Sequence, residues 1–227
     1  MSPAKTLEIC QKLYEQGILT YPRSDCEFLQ EAHKDEAEKV FAVIEKLSSL
    51  KIPETVDKKR KTPVFNSKKV EEYHAIIPSA SCSLSKTLEG DEALIFELVT
   101  RRYISFFMPD YEFFQVNIHA DIDGDLFTAS GQQVLNEGWK SIEKDLQDKD
   151  EEKNTDEDNN SAPLPKTSEG EKGSCSNVNL LEKKTKAPSR FSEATLLKDM
   201  NELYRYVKDS EIKKILKETD GIVTAAT

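Results

Sequence analysis

Residues 114–129 read FQVNIHADIDGDLFTA. Phe114, Val116, Ile118 and Ala120 recur at every second position, with polar residues between them. A period of two places alternate side chains on one face of an extended chain, so the stretch predicts a strand. Asp123-Gly124 is the residue pair of a tight hairpin turn, and Leu126 to Ala129 is the expected returning strand. Gly138-Trp139 closes this β unit.

Moving toward the N-terminus, the period changes. Glu89 to Phe107 reads as a helix, stopped by Pro109. Residues 51–73 are basic and irregular. Ala37, Val40, Phe41, Ile44 and Leu47 form the apolar stripe of another helix. Ser24 and Glu27 have capping-box spacing, which predicts a helix start there. The short apolar run Ile18-Leu19-Thr20-Tyr21 ends at Pro22, and a residue before proline is held extended. A first helix is capped by Ser2, has Pro3 in its first turn and exits at Gly17. Its expected buried face is Leu7, Cys10, Leu13 and Tyr14.

Toward the C-terminus, residues 147–161 are polar and acidic, with too little apolar surface to offset the entropy of ordering, and predict a disordered loop. Val178 to Leu181 is a candidate for a further strand. Beyond Pro188, Ser192 can cap a helix carrying Leu196 or Leu197, Met200, Leu203, Tyr204 and Val207. A shorter helix follows from Ser210 to Lys217. Helix, then β, then helix predicts an α+β protein of more than one unit.

The 227 residues carry a net charge of −10. From Glu143 to Asp158 there are nine acids and three lysines, so most of that charge sits in one loop. Basic clusters lie elsewhere: Lys58-Lys59-Arg60-Lys61, Lys68-Lys69, Arg101-Arg102 and Lys183-Lys184. Polyanion binding follows local potential rather than total charge, although each cluster alone more often means a solvated surface. Cys10, Cys26, Cys82 and Cys175 are widely spaced, which disfavours a zinc site or a disulfide framework and fits a reducing cytoplasm. No apolar run is long enough to span a bilayer, and no signal-peptide core is present.

Two places could carry chemistry. Tyr21 and Arg23 lie two apart on an extended segment, so a phenol and a guanidinium can face one point. A phenol is a poor nucleophile at neutral pH, and a fixed guanidinium stabilises charge building on an attacked phosphate. His74, in Tyr73-His74-Ala75-Ile76-Ile77-Pro78-Ser79, could donate a hydrogen bond to a phosphate or move a proton. On spacing alone the commoner meaning of each is structural: a half-buried aromatic, a surface charge, a histidine at a core edge. His33 and His119 read as a helix surface and a strand face and receive no role. No Gly-rich phosphate loop and no clustered acidic pair appear.

Four stretches, in order, resemble the type IA DNA topoisomerases. Residues 2–14 running into Gly17-Ile-Leu-Thr-Tyr-Pro-Arg-Ser-Asp25 are similar to that family's "LYE…ITYPRTDS" signature. His74-Ala-Ile-Ile-Pro-Ser79 is similar to "HAIIPT", the form of the topoisomerase III branch. Leu94 to Pro109 and the strands that follow are a third match. Thr185 to Leu197 resembles "TKPPPRYTEATLL", and Gly221 to Thr227 resembles the start of "GIGTPATRA". Ser24, Cys26 and Ser79 are mild departures; Val223 and Ala225 replace a glycine and a proline.

The resemblance implies a catalytic tyrosine at Tyr21, assisted by Arg23 and His74. It implies weaker DNA contacts at Arg190, Ser192 and Thr227, and single-stranded DNA as the partner. It implies a catalytic-tyrosine domain over 1–109 and a β-rich arch over 110–187, followed over 188–227 by the start of a helical DNA-binding region. The family's Mg²⁺ is bound by an N-terminal Toprim domain to which nothing here corresponds. The chain is therefore expected to be a fragment, inactive by itself. A tyrosine recombinase also combines tyrosine, arginine and histidine, but with the tyrosine last in the chain. A non-catalytic DNA-binding or interaction module is the other alternative.

Overall fold

The computed structural model describes residues 1–83, 87–147, 164–182, 184–185 and 187–218. The protein is α+β, as its periodicities predict: helices accompany a two-stranded antiparallel sheet. It divides into two compact units, residues 1–107 with 188–227, and residues 108–187.

In the first unit, α1 spans Pro3–Glu15. The Ser2 hydroxyl accepts from the Lys5 amide, and Pro3 fills a position whose missing N–H costs nothing. The helix ends at Gly17, whose amide donates to the Tyr14 carbonyl at 2.8 Å. Ile9, Cys10 and Leu13 are the buried residues, whereas Tyr14 is 40% exposed, so the inward face is rotated from the expected one. Helix α2, Ala37–Leu47, buries its whole predicted stripe together with Val43. Helix α3, Gly90–Ser105, contributes Ile95 and Phe96. Ile9, Cys10, Leu13, Ile18, Leu19, Val43, Leu47, Leu88, Ile95 and Phe96 form one apolar core. Burying each large member is worth about 1.5–3 kcal/mol. The rings of Phe41, Phe65, Tyr103 and Phe107 pack nearby at centroid distances of 5.2–5.8 Å.

No helix starts at Ser24. The Ser24 hydroxyl accepts instead from the Cys26 amide at 3.3 Å, a local turn that competes with helix formation. The chain then runs extended to a one-turn 3₁₀ helix, Glu31–Lys34. Leu29 explains why: it forms a parallel bridge with Phe65, its amide donates to the Val64 carbonyl, and its carbonyl accepts from the Asn66 amide. These contacts to a segment 35 or more positions away outweigh a capping signal.

In the same unit, α5 (Glu193–Asn201) is capped by Ser192, and α6 covers Ser210–Glu218. The predicted helix through Val207 breaks at Glu202 and gives a 3₁₀ turn over Leu203–Arg205.

The second unit holds the hairpin. Strand β1, Glu112–Ile122, pairs with β2, Asp125–Asn136, through a turn in which Asp123 and Gly124 both have positive φ. That is the type I′ geometry matching strand twist. The second strand is longer than its apolar alternation suggested. Trp139 donates its amide to the Pro109 carbonyl at 3.0 Å, and α4 follows over Lys140–Gln147. Gly138, at φ +44°, permits this closure: a Cβ there would sit 2.3 Å from the Asp110 carbonyl oxygen. Val178 to Leu181 forms no strand; all four residues are exposed and irregular. All of the predicted acidic loop 147–161 except Gln147 lies outside the described residues, and so does Thr227.

Candidate active site

Two chain segments, 18–28 and 73–79, lie side by side and antiparallel. Leu19 and Pro78 form the bridge between them. The Thr20 amide donates to the Ile77 carbonyl at 3.0 Å, and the Ile77 amide donates back to the Thr20 hydroxyl at 2.9 Å. Ser79 donates its amide to the Ile18 carbonyl at 2.8 Å, and Ala75 donates its amide to the Phe28 carbonyl at 2.9 Å. Ile18 and Leu19 anchor the pair in the core. Tyr21 and His74 therefore stand on adjoining stretches of fixed backbone. Thr20 was not singled out by the sequence reading; its role is a hydrogen bond across 57 positions, for which no local signal exists.

Tyr21 is half-buried between two other tyrosines. Its ring meets Tyr14 edge-on at 5.4 Å and Tyr73 at 4.4 Å with a 33° tilt. Contacts of this kind add about 0.5–1.5 kcal/mol beyond burial and restrict the ring. The Tyr21 hydroxyl has no hydrogen bond among the described residues and remains available. The neighbouring phenol of Tyr73 is pushed up in pKa, chiefly by the Glu72 carboxylate. Arg23 is exposed and makes no hydrogen bond or ion pair among the described residues. A solvated guanidinium next in line to the phenol is free to take an anionic partner.

His74 is half-buried, with Nδ1 2.8 Å from the Ala75 carbonyl oxygen. Against a carbonyl that nitrogen must carry the proton, which leaves Nε2 with the lone pair when the ring is neutral. The His74 ring packs against His33, centroid to centroid 4.2 Å, a neighbour the sequence did not suggest.

Arg190 and Ser192 stand apart in character. Ser192 is a helix cap: its hydroxyl accepts from the Thr195 amide at 3.3 Å, and its amide donates to the Thr195 hydroxyl at 2.8 Å. Arg190 is exposed. None of their described bonds reaches the Tyr21 or His74 segments. Among the described residues, no group of three or more His, Cys, Asp or Glu side chains could hold a metal ion. Nor is any described helix long and apolar enough to cross a membrane.

A protein-family model described as DNA topoisomerase matches residues 1–227. The chain is 38% identical to DNA topoisomerase 3 of Pasteurella multocida, 36% to that of Haemophilus influenzae and 35% to that of Salmonella typhimurium. Each match covers 100% of this chain and 34% of the relative, so the chain spans about a third of the length of these curated proteins. With the full length matched, and with two family motifs paired side by side in the first unit, the chain belongs to the type IA DNA topoisomerase family, on its topoisomerase III side.

Proposed function

We propose that this chain supplies the strand-cleaving tyrosine of an ATP-independent topoisomerase that relaxes or unlinks DNA by way of single-stranded breaks. The observation that supports this is the pairing of the 18–28 and 73–79 segments, which sets the backbones of Tyr21 and His74 on adjoining hydrogen-bonded stretches.

The Tyr21 phenolic oxygen attacks a backbone phosphorus. A Tyr–O–P bond forms, the bond from phosphorus to the 3′ oxygen breaks, and the DNA 5′ phosphate stays on the enzyme. The phenol gives up its proton and the departing 3′ oxygen gains one. In reversal the 3′ hydroxyl attacks the phosphotyrosine and restores the strand. One phosphodiester is exchanged for another, so no outside energy source is consumed. Arg23 interacts more strongly with the charge of the pentacovalent state than with resting DNA, which makes it a rate element rather than a binding element. His74 presents Nε2: neutral, it accepts a proton; charged, it donates to a phosphate oxygen.

Mg²⁺ is proposed as a cofactor of the complete enzyme, held by residues outside this chain. Arg190 and Thr227 are proposed as subsidiary DNA contacts. Ser192 is proposed to contribute through the helix terminus it caps, since its hydroxyl is already engaged. Three segments are proposed along the chain: a tyrosine domain near 1–109, an arch near 110–187 and the start of a DNA-binding region near 188–227. The isolated chain is proposed to be inactive in relaxation.

The test is Tyr21→Phe in the complete enzyme, with adducts trapped on 5′- and 3′-labelled single strands. Covalent 5′-phosphotyrosyl adduct should fall by about 10³-fold or more, equivalent to about 4 kcal/mol of barrier, while non-covalent binding persists. A normal adduct yield would remove Tyr21 as the nucleophile. Equal loss of binding and cleavage would make the ring structural and favour the non-catalytic module.

A further inference from the structure

We propose that His33 is a positioning residue for His74: its ring is the fixed wall that keeps the His74 imidazole in the Nδ1–H form, with Nε2 as the open nitrogen. The inference rests on reading His74 as part of the cleavage site, and it adds a residue which that reading does not contain.

The His33 ring is pinned by its own turn, and that turn is tied to the 64–67 segment. Its Nδ1 accepts from the Gln30 amide at 3.2 Å, so its own turn pins the ring, and in the neutral ring the proton sits on Nε2. The turn is tied to a distant segment by the Glu31 amide donating to the Ser67 hydroxyl at 3.0 Å. Two residues before Glu31, Leu29 is bonded to both Val64 and Asn66. Lys34, next in the turn, lies 5.3 Å over the Phe65 ring. A side chain so anchored can act as a template for a looser one.

His74 is the looser partner. Its described polar contact is the bond from Nδ1 to the carbonyl of the very next residue. A free imidazole favours the Nε2–H tautomer, and so short a contact does little to select a rotamer by itself. What closes the other side is the His33 ring, 4.2 Å away and inclined by 59°. The electrostatics agree with the packing. Burial and the neighbouring His74 push the His33 pKa down, against a smaller upward pull from Glu36. Both effects favour a neutral His33 as the wall, and two charged imidazoles at this separation would repel.

The experiment uses the ¹⁵N-labelled chain and long-range ¹H–¹⁵N spectra of the imidazoles, which report the tautomer directly. In the unaltered chain His74 should show Nδ1–H. His33→Ala should shift His74 toward the Nε2–H form, and His33→Phe, which restores a ring of similar size, should recover most of the Nδ1–H signature. If His33→Ala does not fold, His33→Gln takes its place, keeping an acceptor for the Gln30 amide but no ring, and the same loss is expected. An Nε2–H tautomer in the unaltered chain overturns the proposal. So does a His74 signature that ignores the ring's removal.

A second measurement is made in the complete enzyme. There His33→Ala should slow adduct formation several-fold with binding unchanged, and adding it to His74→Ala should cost nothing more. Additive losses overturn the positioning role. No DNA enters the spectra, so the two readings fail separately. A tautomer unaffected by His33 leaves Tyr21 as nucleophile, and a Tyr21→Phe enzyme that still forms adduct leaves the spectra as they are.

Discussion

Residues 18–29 hold no regular element beyond single bridges, yet Ile18, Leu19 and Leu29 are at most 1% exposed. The β1–β2 hairpin is a continuous ladder with one irregularity near Glu112, yet Phe114 and Leu126 are 59% and 68% exposed. Regularity and burial have come apart. The irregular segment is held by the core beneath it and by hydrogen bonds to partners 35 or more positions away. The hairpin is held by local register and turn chemistry, and buries little of its apolar surface among the described residues. A reactive group needs the first kind of support, because its position must not depend on a ladder that frays from the ends.

The sharpest way to break this contrast is to remove support from under the irregular segment. Leu13 is 0% exposed and its carbonyl accepts from the amides of both Ile18 and Leu19. Leu13→Ala should destabilise the first unit by about 2–5 kcal/mol in urea unfolding, the range for a large-to-small change in a closed core. A loss under about 1 kcal/mol would mean the segment does not depend on that core.

In the second unit the counterpart is a backbone position rather than a core side chain. Gly138→Ala adds a Cβ against the Asp110 and Pro109 carbonyl oxygens at a φ of +44°. It should cost about 1–3 kcal/mol. Hydrogen exchange should show faster opening for the Trp139 amide while the Thr20 and Ile77 amides keep their protection. Equal effects in both places would merge what is here kept separate.

Thr20→Val tests the stitching alone. It leaves the Ile77 amide without its acceptor and should cost about 1–3 kcal/mol, the price of a donor left unpaired in a half-buried site. Tyr21 fluorescence anisotropy would fall as its ring loosens between Tyr14 and Tyr73.

A smaller effect concerns pH. The folded His33 has a lowered pKa, facing His74 and, more weakly, Glu36, with its Nδ1 on the Gln30 amide. The unfolded chain then binds more protons, so this stabilisation is present above the ordinary histidine pKa and is lost as pH falls through it. Stability measured from pH 7.5 downward should therefore decline near and below pH ~6.5, and His33→Phe should flatten that slope. The smallest change is expected at Leu126, where replacement by threonine should alter stability by no more than about 0.5 kcal/mol.

What the sequence made legible was whatever local physics controls. The stripe Ala37-Val40-Phe41-Ile44-Leu47, the Ser2 and Ser192 caps and the Asp123-Gly124 turn each need only neighbours a few positions away, and each is present. Misreadings fell where distant segments decide. Ser24 and Glu27 carry a helix-start pattern that the bonds of Leu29 to Val64 and Asn66 override. Tyr14 looks like a core residue by spacing, but its ring turns outward to meet Tyr21. His33 read as a helix surface because nothing within several positions announces His74. Tyr21, Arg23 and His74 were visible as candidates from residue type and spacing, and motif resemblance raised them above the commoner structural meaning. Geometry adds the frame beneath Tyr21 and His74, and it shows the Ser192 hydroxyl occupied in a cap.

The bonds between 18–20 and 77–79 run through main chain and the Thr20 hydroxyl, and use neither the Tyr21 phenol nor the His74 imidazole. A lineage that lost either group would keep a chain that folds, escapes proteolytic surveillance and accumulates to ordinary levels, since cellular abundance follows stability rather than catalysis. Loss of chemistry and loss of fold would then be separable events in this chain: a change at the Tyr21 phenol leaves the stitched frame standing, whereas a change at Leu13 removes what lies beneath it.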